Sequence, residues 1–256
     1  MRIAVIGATG RVGHHIVEVL EAGGHDVVKI SRSAGVDAVS GDGLDDALAG
    51  ADCVVDAASG PSPDQDAATE FFTSASRNLQ EVGQRAGVRQ IVAVSIIGCD
   101  RFSAGYNAAK VAHERALSSG PIPVRILRAA QFHEFVPQLV DWGRQNGVSY
   151  VPQMRTQLVA ARTVAEALAD LATADDYTSS QGSPADAIPE IAGPRAEDLV
   201  EMAKLLAARR GDPARVEGVS DPADPDRELY ETDGLLPGPT ARLAGPTFEE
   251  WLVATP

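Results

Sequence analysis

Three glycines stand directly behind the first apolar run of the chain: Arg2-Ile3-Ala4-Val5-Ile6 leads into Gly7-Ala8-Thr9-Gly10-Arg11-Val12-Gly13. The run reads as a strand. Behind the glycines, Val12, Ile16, Val19 and Leu20 fall on one helical face that Gly23-Gly24 stops. A strand, a glycine turn and a helix in that order constrain the chain strongly. The start of a helix offers backbone amides and the positive end of its dipole to an anion. A Cβ at Gly7 or Gly10 would obstruct the turn or the approach of a pyrophosphate, and one at Gly13 would disturb helix-on-strand packing. The loop therefore reads as the phosphate turn of a dinucleotide fold, with Gly7, Thr9, Gly10, Arg11, Val12 and Gly13 as candidate binding residues. Thr9 can add a hydroxyl. Arg11 is either an exposed helix-start residue or a contact to cofactor phosphate.

Beyond the loop, short apolar runs alternate with amphipathic stretches to about residue 130. Strands are expected at 26–30, weakly at Ala38-Val39, and at 53–55, 90–94 and 124–127. Helices are expected over 44–48, 67–86 and 106–117, with Gly87 capping the second. Near-continuous apolar strands between helices mean a parallel sheet covered on both faces. The expected class is α/β, a doubly wound, Rossmann-like parallel sheet. Residues 131–174 read as two helices around a short strand at 148–151. The polar stretch 175–189 reads as a surface loop, and 211–246 as an irregular, proline- and glycine-containing segment around a strand at 215–219. Long irregular segments wall or cover ligand pockets, or are disordered. One domain over 1–256 is expected, with 131–256 supplying most of a smaller substrate-binding region or lid.

The end of the second strand selects the dinucleotide. A site for NAD usually places a carboxylate there to accept from the adenine ribose. Here the chain runs Ile30-Ser31-Arg32, and a planar cation beside a small hydroxyl suits a 2′-phosphate. The expected cofactor is NADP(H). Asp42 is placed to accept from the adenine amino group or to cap the helix at 44–48, and both roles are compatible. Ala57, Ala58 and Ser59 are small enough for the adenine ribose to lie against them.

Tyr106 and Lys110 stand four residues apart and share a helix face. A carbonyl reductase needs a proton donor beside the hydride donor. A phenol whose pKa a nearby ammonium lowers can serve near neutrality, and the same lysine can hold the nicotinamide ribose.

With these motifs in place, the chain resembles the NmrA-like branch of the atypical short-chain dehydrogenase/reductases. The resemblance is carried by Gly7-Ala8-Thr9-Gly10, Val94-Ser95-Ile96-Ile97-Gly98, Lys110-Val111-Ala112-His113-Glu114 and Ile126-Leu127-Arg128-Ala129-Ala130-Gln131-Phe132. Ile191-Ala192-Gly193-Pro194 and Phe248-Glu249-Glu250-Trp251-Leu252 extend it to nearly the whole chain. It implies NAD(P)H binding, a Rossmann-like domain and a smaller C-terminal substrate region, with Ala129, Gln131 and Phe132 near the nicotinamide. It also implies a serine that polarises the substrate carbonyl; Ser95 is the candidate, with Ile96 at the more usual position. The activity expected is NADPH-dependent reduction of a small carbonyl, quinone or enone by hydride transfer, with Tyr106, Lys110 and Ser95 catalytic. Two alternatives remain open: an NADPH-binding sensor or regulator without turnover, and redox-neutral epimerase or dehydratase chemistry with held cofactor.

Composition excludes some partners. Thirty-six acidic against 22 basic side chains give a formal net charge of -14, which nucleic acid and anionic membrane surfaces would repel. The longest apolar run, 91–97, is too short to span a bilayer. Cys53 and Cys99 read as buried thiols in a reducing compartment, and no CxxC or HxxxH spacing supports a metal. With no basic leader ahead of the first strand, a cytoplasmic location is expected. His14, His15 and His25 read as surface or packing residues, whereas His133 lies beside Gln131 and Phe132, near the expected substrate. A small molecule is the expected partner; the sequence is silent on oligomeric state.

Overall fold

The strand Arg2–Ile6 (β1) buries Ile3, Ala4, Val5 and Ile6 in succession. Only a strand covered on both faces satisfies such a run. The computed structural model describes residues 1–60, 62–174 and 188–255. After β1 come α1 (Gly13–Ala22), β2 (Asp26–Ile30), α2 (Leu44–Leu48), β3 (Cys53–Asp56) and α3 (Gln65–Ala86). Then follow β4 (Gln90–Ile96), α4 (Gly105–Ser118), β5 (Val124–Ala129), α5 (Phe135–Trp142), β6 (Arg144–Gln145) and β7 (Val148–Pro152). β8 (Arg155–Thr156), α6 (Ala161–Thr173), β9 (Glu190–Ala192), β10 (Glu197–Asp198) and α7 (Leu199–Arg210) lead to β11 (Arg215–Val219). α8 (Arg227–Glu231), β12 (Arg242–Leu243) and α9 (Phe248–Ala254) complete the chain. It divides into two compact units: Met1–Ser95, Gly105–Arg128 and Val164–Pro189; and Ile96–Ala104, Ala129–Thr163 and Glu190–Pro256.

In the first unit the strands lie in the order β5-β4-β3-β1-β2, and β2, β1, β3 and β4 pair in parallel. This is the doubly wound, Rossmann-like α/β sheet that the alternation of runs implies. The chain leaves β1 toward β2 and returns on the other side of β1 with β3. That reversal is the switch point outside which such sheets bind ligands. Ile6, Ile30, Leu44, Leu48, Val54 and Leu79 form part of the core behind it. β4 and β5 each run two residues past their expected ends, at Val94 and Leu127. α3 starts at Gln65 because Asp64 accepts from the Ala67 amide at 3.0 Å, and Gly87 caps its other end at φ 80°.

One expected strand is absent. Ala38 and Val39 lie in a turn. The Asp37 carboxylate accepts from the Val39 amide at 2.7 Å, and Gly41 takes φ 86°. Asn78 of α3 then donates to the carbonyls of Ala38 and Val39 at 2.9 and 2.8 Å. A side-chain-closed turn with a left-handed glycine outweighs the β-propensity of two residues.

In the second unit, α5, α7 and α9 share a core with β7 that includes Val136, Val140, Val151, Leu199, Leu206 and Phe248. β6 and β7 form an antiparallel hairpin closed by Asn146 and Gly147, both at positive φ, and β7 also pairs in parallel with β11. Segment 211–246 is more regular than its composition suggests, since it carries β11, α8 and β12. It is also fastened to the loop after β4. Buried Asp226 accepts from the Ser103 amide at 2.7 Å, the Ser103 hydroxyl at 2.9 Å and the Ala104 amide at 2.9 Å. The Phe102 and Tyr230 rings lie 4.7 Å apart, and Arg101 donates to the Asp233 carbonyl at 2.8 Å. Most of the expected surface loop, residues 175–187, lies outside the described residues. No helix among the described residues is long and apolar enough to cross a membrane.

Candidate functional site

The glycine loop forms at the switch point. The amides of Gly7 and Ala8 both donate to the Ile30 carbonyl, at 3.0 and 3.2 Å, and the Gly10 amide closes the turn on the Gly7 carbonyl at 2.8 Å. Gly7 has φ 73°, and a Cβ there would come within 2.8 Å of the Ala57 carbonyl oxygen. A Cβ on Gly13 would lie 2.0 Å from the Gly7 carbonyl oxygen, so the loop itself imposes this glycine rather than helix-on-strand packing. A Cβ on Gly10 would meet only that same carbonyl, at 3.0 Å. The outer side of the turn is therefore open, as a pyrophosphate requires. Thr9 and Arg11 are exposed on it, whereas the Val12 side chain is buried beneath.

On the adenosine side, Ser31 is extended and Arg32 begins a short 3-10 turn with its side chain exposed. Ser31 and Ser33 share a hydroxyl hydrogen bond of 2.9 Å. Asp42 is exposed and does not cap α2: the N-cap is Gly43 at φ 75°, without a side-chain bond. Ala57 and Ala58 are half-buried and Ser59 exposed beyond the end of β3.

Tyr106 and Lys110 both reach the Phe72 ring of α3. The Tyr106 ring meets it edge-on at 5.7 Å, and the Lys110 Nζ sits 4.5 Å from its centre. Lys110 is 3% exposed, and its Nζ donates to the Val94 carbonyl at 2.9 Å and lies 2.8 Å from His113 Nδ1. His113 Nε2 lies 3.0 Å from Asp56 Oδ2. The expected lowering of the Tyr106 pKa by Lys110 does not occur. Burial raises it, against a backbone hydrogen bond from Gly60, and the negative charge of Asp56 adds to the rise. The ammonium is committed to Val94 and His113 instead.

Ser95 is buried in β4, one residue beyond the carbonyl that holds Lys110. Ala129, Gln131 and Phe132 belong to the second unit. Ala129 is buried at the end of β5, the Gln131 side chain accepts from the Thr156 hydroxyl, and Phe132 bridges to Val159. His133 is fully buried against the rings of Phe248 and Trp251, with Nε2 3.0 Å from the Pro246 carbonyl. Burial pushes its pKa down to about 4, so it is a neutral packing group. Cys53 and Cys99 are buried free thiols, and burial pushes Cys53 up to about 12. Among the described residues no group of three or more His, Cys, Asp or Glu could hold a metal ion. Asp56, Phe72 and His113 are the site's neighbours that motif reading passes over. The one signal for His113 is its spacing of three from Lys110, which puts both on one helix face.

A glycine turn open at the switch point of a doubly wound sheet defines a dinucleotide-binding protein. The model of the NAD(P)H-binding family matches residues 7–175, and the chain belongs to that family. No curated protein matches the sequence. Among solved structures it is similar to MoeE5 in complex with UDP-glucose and NAD, at 19% identity and a TM-score of 0.70, covering 99% of this chain and 96% of that one. It is also similar to TunA, an NAD-dependent NDP-hexosamine 5,6-dehydratase involved in tunicamycin biosynthesis, at 17% identity and a TM-score of 0.70 over 99% and 96%. A third similar structure is the dTDP-4-dehydrorhamnose reductase of Bacillus anthracis in complex with NADP, at 16% identity and a TM-score of 0.67 over 100% and 99%. At these identities the likeness is one of fold.

Proposed function

We propose that the chain is an NADPH-dependent oxidoreductase that reduces a small carbonyl, quinone or enone. The observation that carries this reading is the pair Tyr106 and Lys110 on α4, both set against the Phe72 ring. The Tyr106 phenol is protonated at neutral pH, as any tyrosine is, and burial makes it a weaker acid than usual. It can still hand its proton to a developing alkoxide, a much stronger base, which is what reduction of a carbonyl requires. NADPH, when bound, supplies the hydride. In this reading the open turn at Gly7, Gly10 and Gly13 and the start of α1 hold the pyrophosphate, with Thr9 and Arg11 beside it. Ser31 and Arg32 meet the 2′-phosphate, Asp42 the adenine, and Ala57, Ala58 and Ser59 the adenosine ribose. Lys110 holds the nicotinamide ribose, and Ser95 polarises the substrate. The substrate-binding region is assigned mainly to residues 131–256. Two buried free thiols fit a reducing cytoplasm.

The similar structures holding UDP-glucose, or named as a sugar-nucleotide dehydratase, favour a second reading: redox-neutral chemistry on a sugar nucleotide with retained cofactor. A panel of carbonyls, quinones, enones and sugar nucleotides, followed by NADPH absorbance and product chromatography, separates the two. Substrate-dependent loss of NADPH supports the first. Conversion of a sugar nucleotide without net cofactor change supports the second. Tight NADPH binding with turnover of nothing overturns both and leaves a sensor.

A further inference from the structure

Lys110, His113 and Asp56 form a buried line that no part of the proposed chemistry uses beyond the lysine. We infer that His113 and Asp56 are positioning residues: a neutral imidazole, protonated on Nε2, bridges the Lys110 ammonium to the Asp56 carboxylate and so fixes the lysine in the cofactor site. The inference rests on the assignment of Lys110 to the nicotinamide ribose.

The three side chains are 3%, 1% and 2% exposed, in the order Lys110, His113 and Asp56. An ammonium has donors only. His113 Nδ1, 2.8 Å from it, must therefore accept, and the ring proton sits on Nε2, which donates to Asp56 Oδ2 at 3.0 Å. The second carboxylate oxygen accepts from the Ala58 amide at 3.0 Å, so both oxygens have partners. Phe72 stacks on the imidazole at 4.6 Å and 23°, closing its face to water.

Each end of the line needs the other. A dry lysine without an opposite charge would lose its proton, and a dry carboxylate without donors would gain one. Burial and the Lys110 charge hold His113 below its ordinary pKa, against the pull of Asp56 and Glu114. Burial pushes Asp56 upward, but the hydrogen bond from His113, the Ala58 amide and the Lys110 charge together bring it below the usual carboxylate range. The charged groups facing the imidazole are Lys110 and Glu114 from α4 and Asp56 from β3, while α3 presents the uncharged Phe72. Glu114 is itself paired with Arg128. The line also ties Lys110 to the Ala57–Ala58 backbone, against which Gly7 rests. One carboxylate thus sets the register of the phosphate turn and the lysine together.

His113→Gln and His113→Phe separate bridging from packing. Glutamine presents one acceptor and one donor and can span the gap, whereas phenylalanine keeps the ring stack and loses the bridge. NADPH titration of the full chain should give His113→Gln a Kd within about threefold of the native value. For His113→Phe the Kd should rise by about tenfold or more, the scale of a lost hydrogen bond to a charged group. That loss should equal the loss in Lys110→Ala and not increase in the double variant. The reverse order, with Phe tolerated and Gln not, overturns the bridge. Nitrogen-15 NMR of the native protein reads the tautomer without cofactor: a proton found on Nδ1 overturns the inference, even where a variant fails to fold. Unchanged NADPH affinity in Lys110→Ala would instead overturn the assignment of the lysine to the ribose, and the tautomer measurement would still decide the bridge.

Discussion

Arg32 and His133 are both residues whose surroundings decide their role. Arg32 is exposed at the end of β2 with no carboxylate in the place that would favour NAD. NADPH should therefore raise the Tm more than equal NADH, and Arg32→Asp should reverse the order by replacing a cation with an anion. A tenfold affinity difference corresponds to about 1.4 kcal/mol at saturation, and equal thermal shifts in the native protein would refute the preference. His133 makes stability depend on pH. Its folded pKa, about 4, lies below its ordinary 6.5, so its neutral form stabilises the fold fully above pH 6.5. That contribution, on the order of 3 kcal/mol, is lost as the pH falls toward 4. The lowered pKa of His113 acts in the same direction. Urea unfolding at about pH 7 and about pH 5 should show a smaller acid loss in His133→Phe than in the native chain. At this scale the sequence showed which residues share a helix face. It did not show the sign of the Tyr106 shift, because that depends on burial and on Asp56 from another strand. The Asp56–His113 partnership joins β3 to α4 and leaves no local trace beyond one helical spacing.

Helix ends and strand ends were legible where a side chain or a glycine marks them. Gly87 ends α3 as its sequence context implies, and the helix began earlier than expected only because Asp64 reaches the Ala67 amide. The same logic, applied further along, finds α7 between the Asp198 cap and Gly211 at φ 70°, and the β6–β7 hairpin at Asn146-Gly147. Both signals are local, whereas the overall composition of these segments does not show them. Ala38-Val39 failed for the opposite reason, since Asn78 acts on it from 39 and 40 residues away. Between elements, Glu114 on α4 and Arg128 on β5 make a bidentate pair, at 2.9 and 2.8 Å and nearly buried. Removing Glu114 leaves the nearly buried Arg128 guanidinium without its carboxylate. Glu114→Ala should lower unfolding free energy by about 3–5 kcal/mol, measured by denaturant titration; a loss under about 1 kcal/mol would mean that water relieves Arg128.

For the molecule as a whole, the first unit was the readable one, since alternation of runs dictates a doubly wound sheet whatever the details. The second unit is held by contacts distant in sequence, of which Asp226 is the clearest. Its carboxylate closes three hydrogen bonds to Ser103 and Ala104, and no periodicity announces them. Asp226→Ala should destabilise by about 2–3 kcal/mol and hasten proteolysis within 211–246; an unchanged cleavage pattern would show that the Phe102–Tyr230 and Arg101–Asp233 contacts suffice. Gly7 has a consequence for how such a chain can change over generations. The atoms that exclude a side chain there are the carbonyl of Ala57 and the Cα of Ala58, all main chain. Replacing residue 57 or 58 with anything smaller leaves those atoms where they are. A substitution at position 7 therefore has no suppressor at its point of contact, and a library randomised at 7, 57 and 58 together should return glycine at the first while the other two drift.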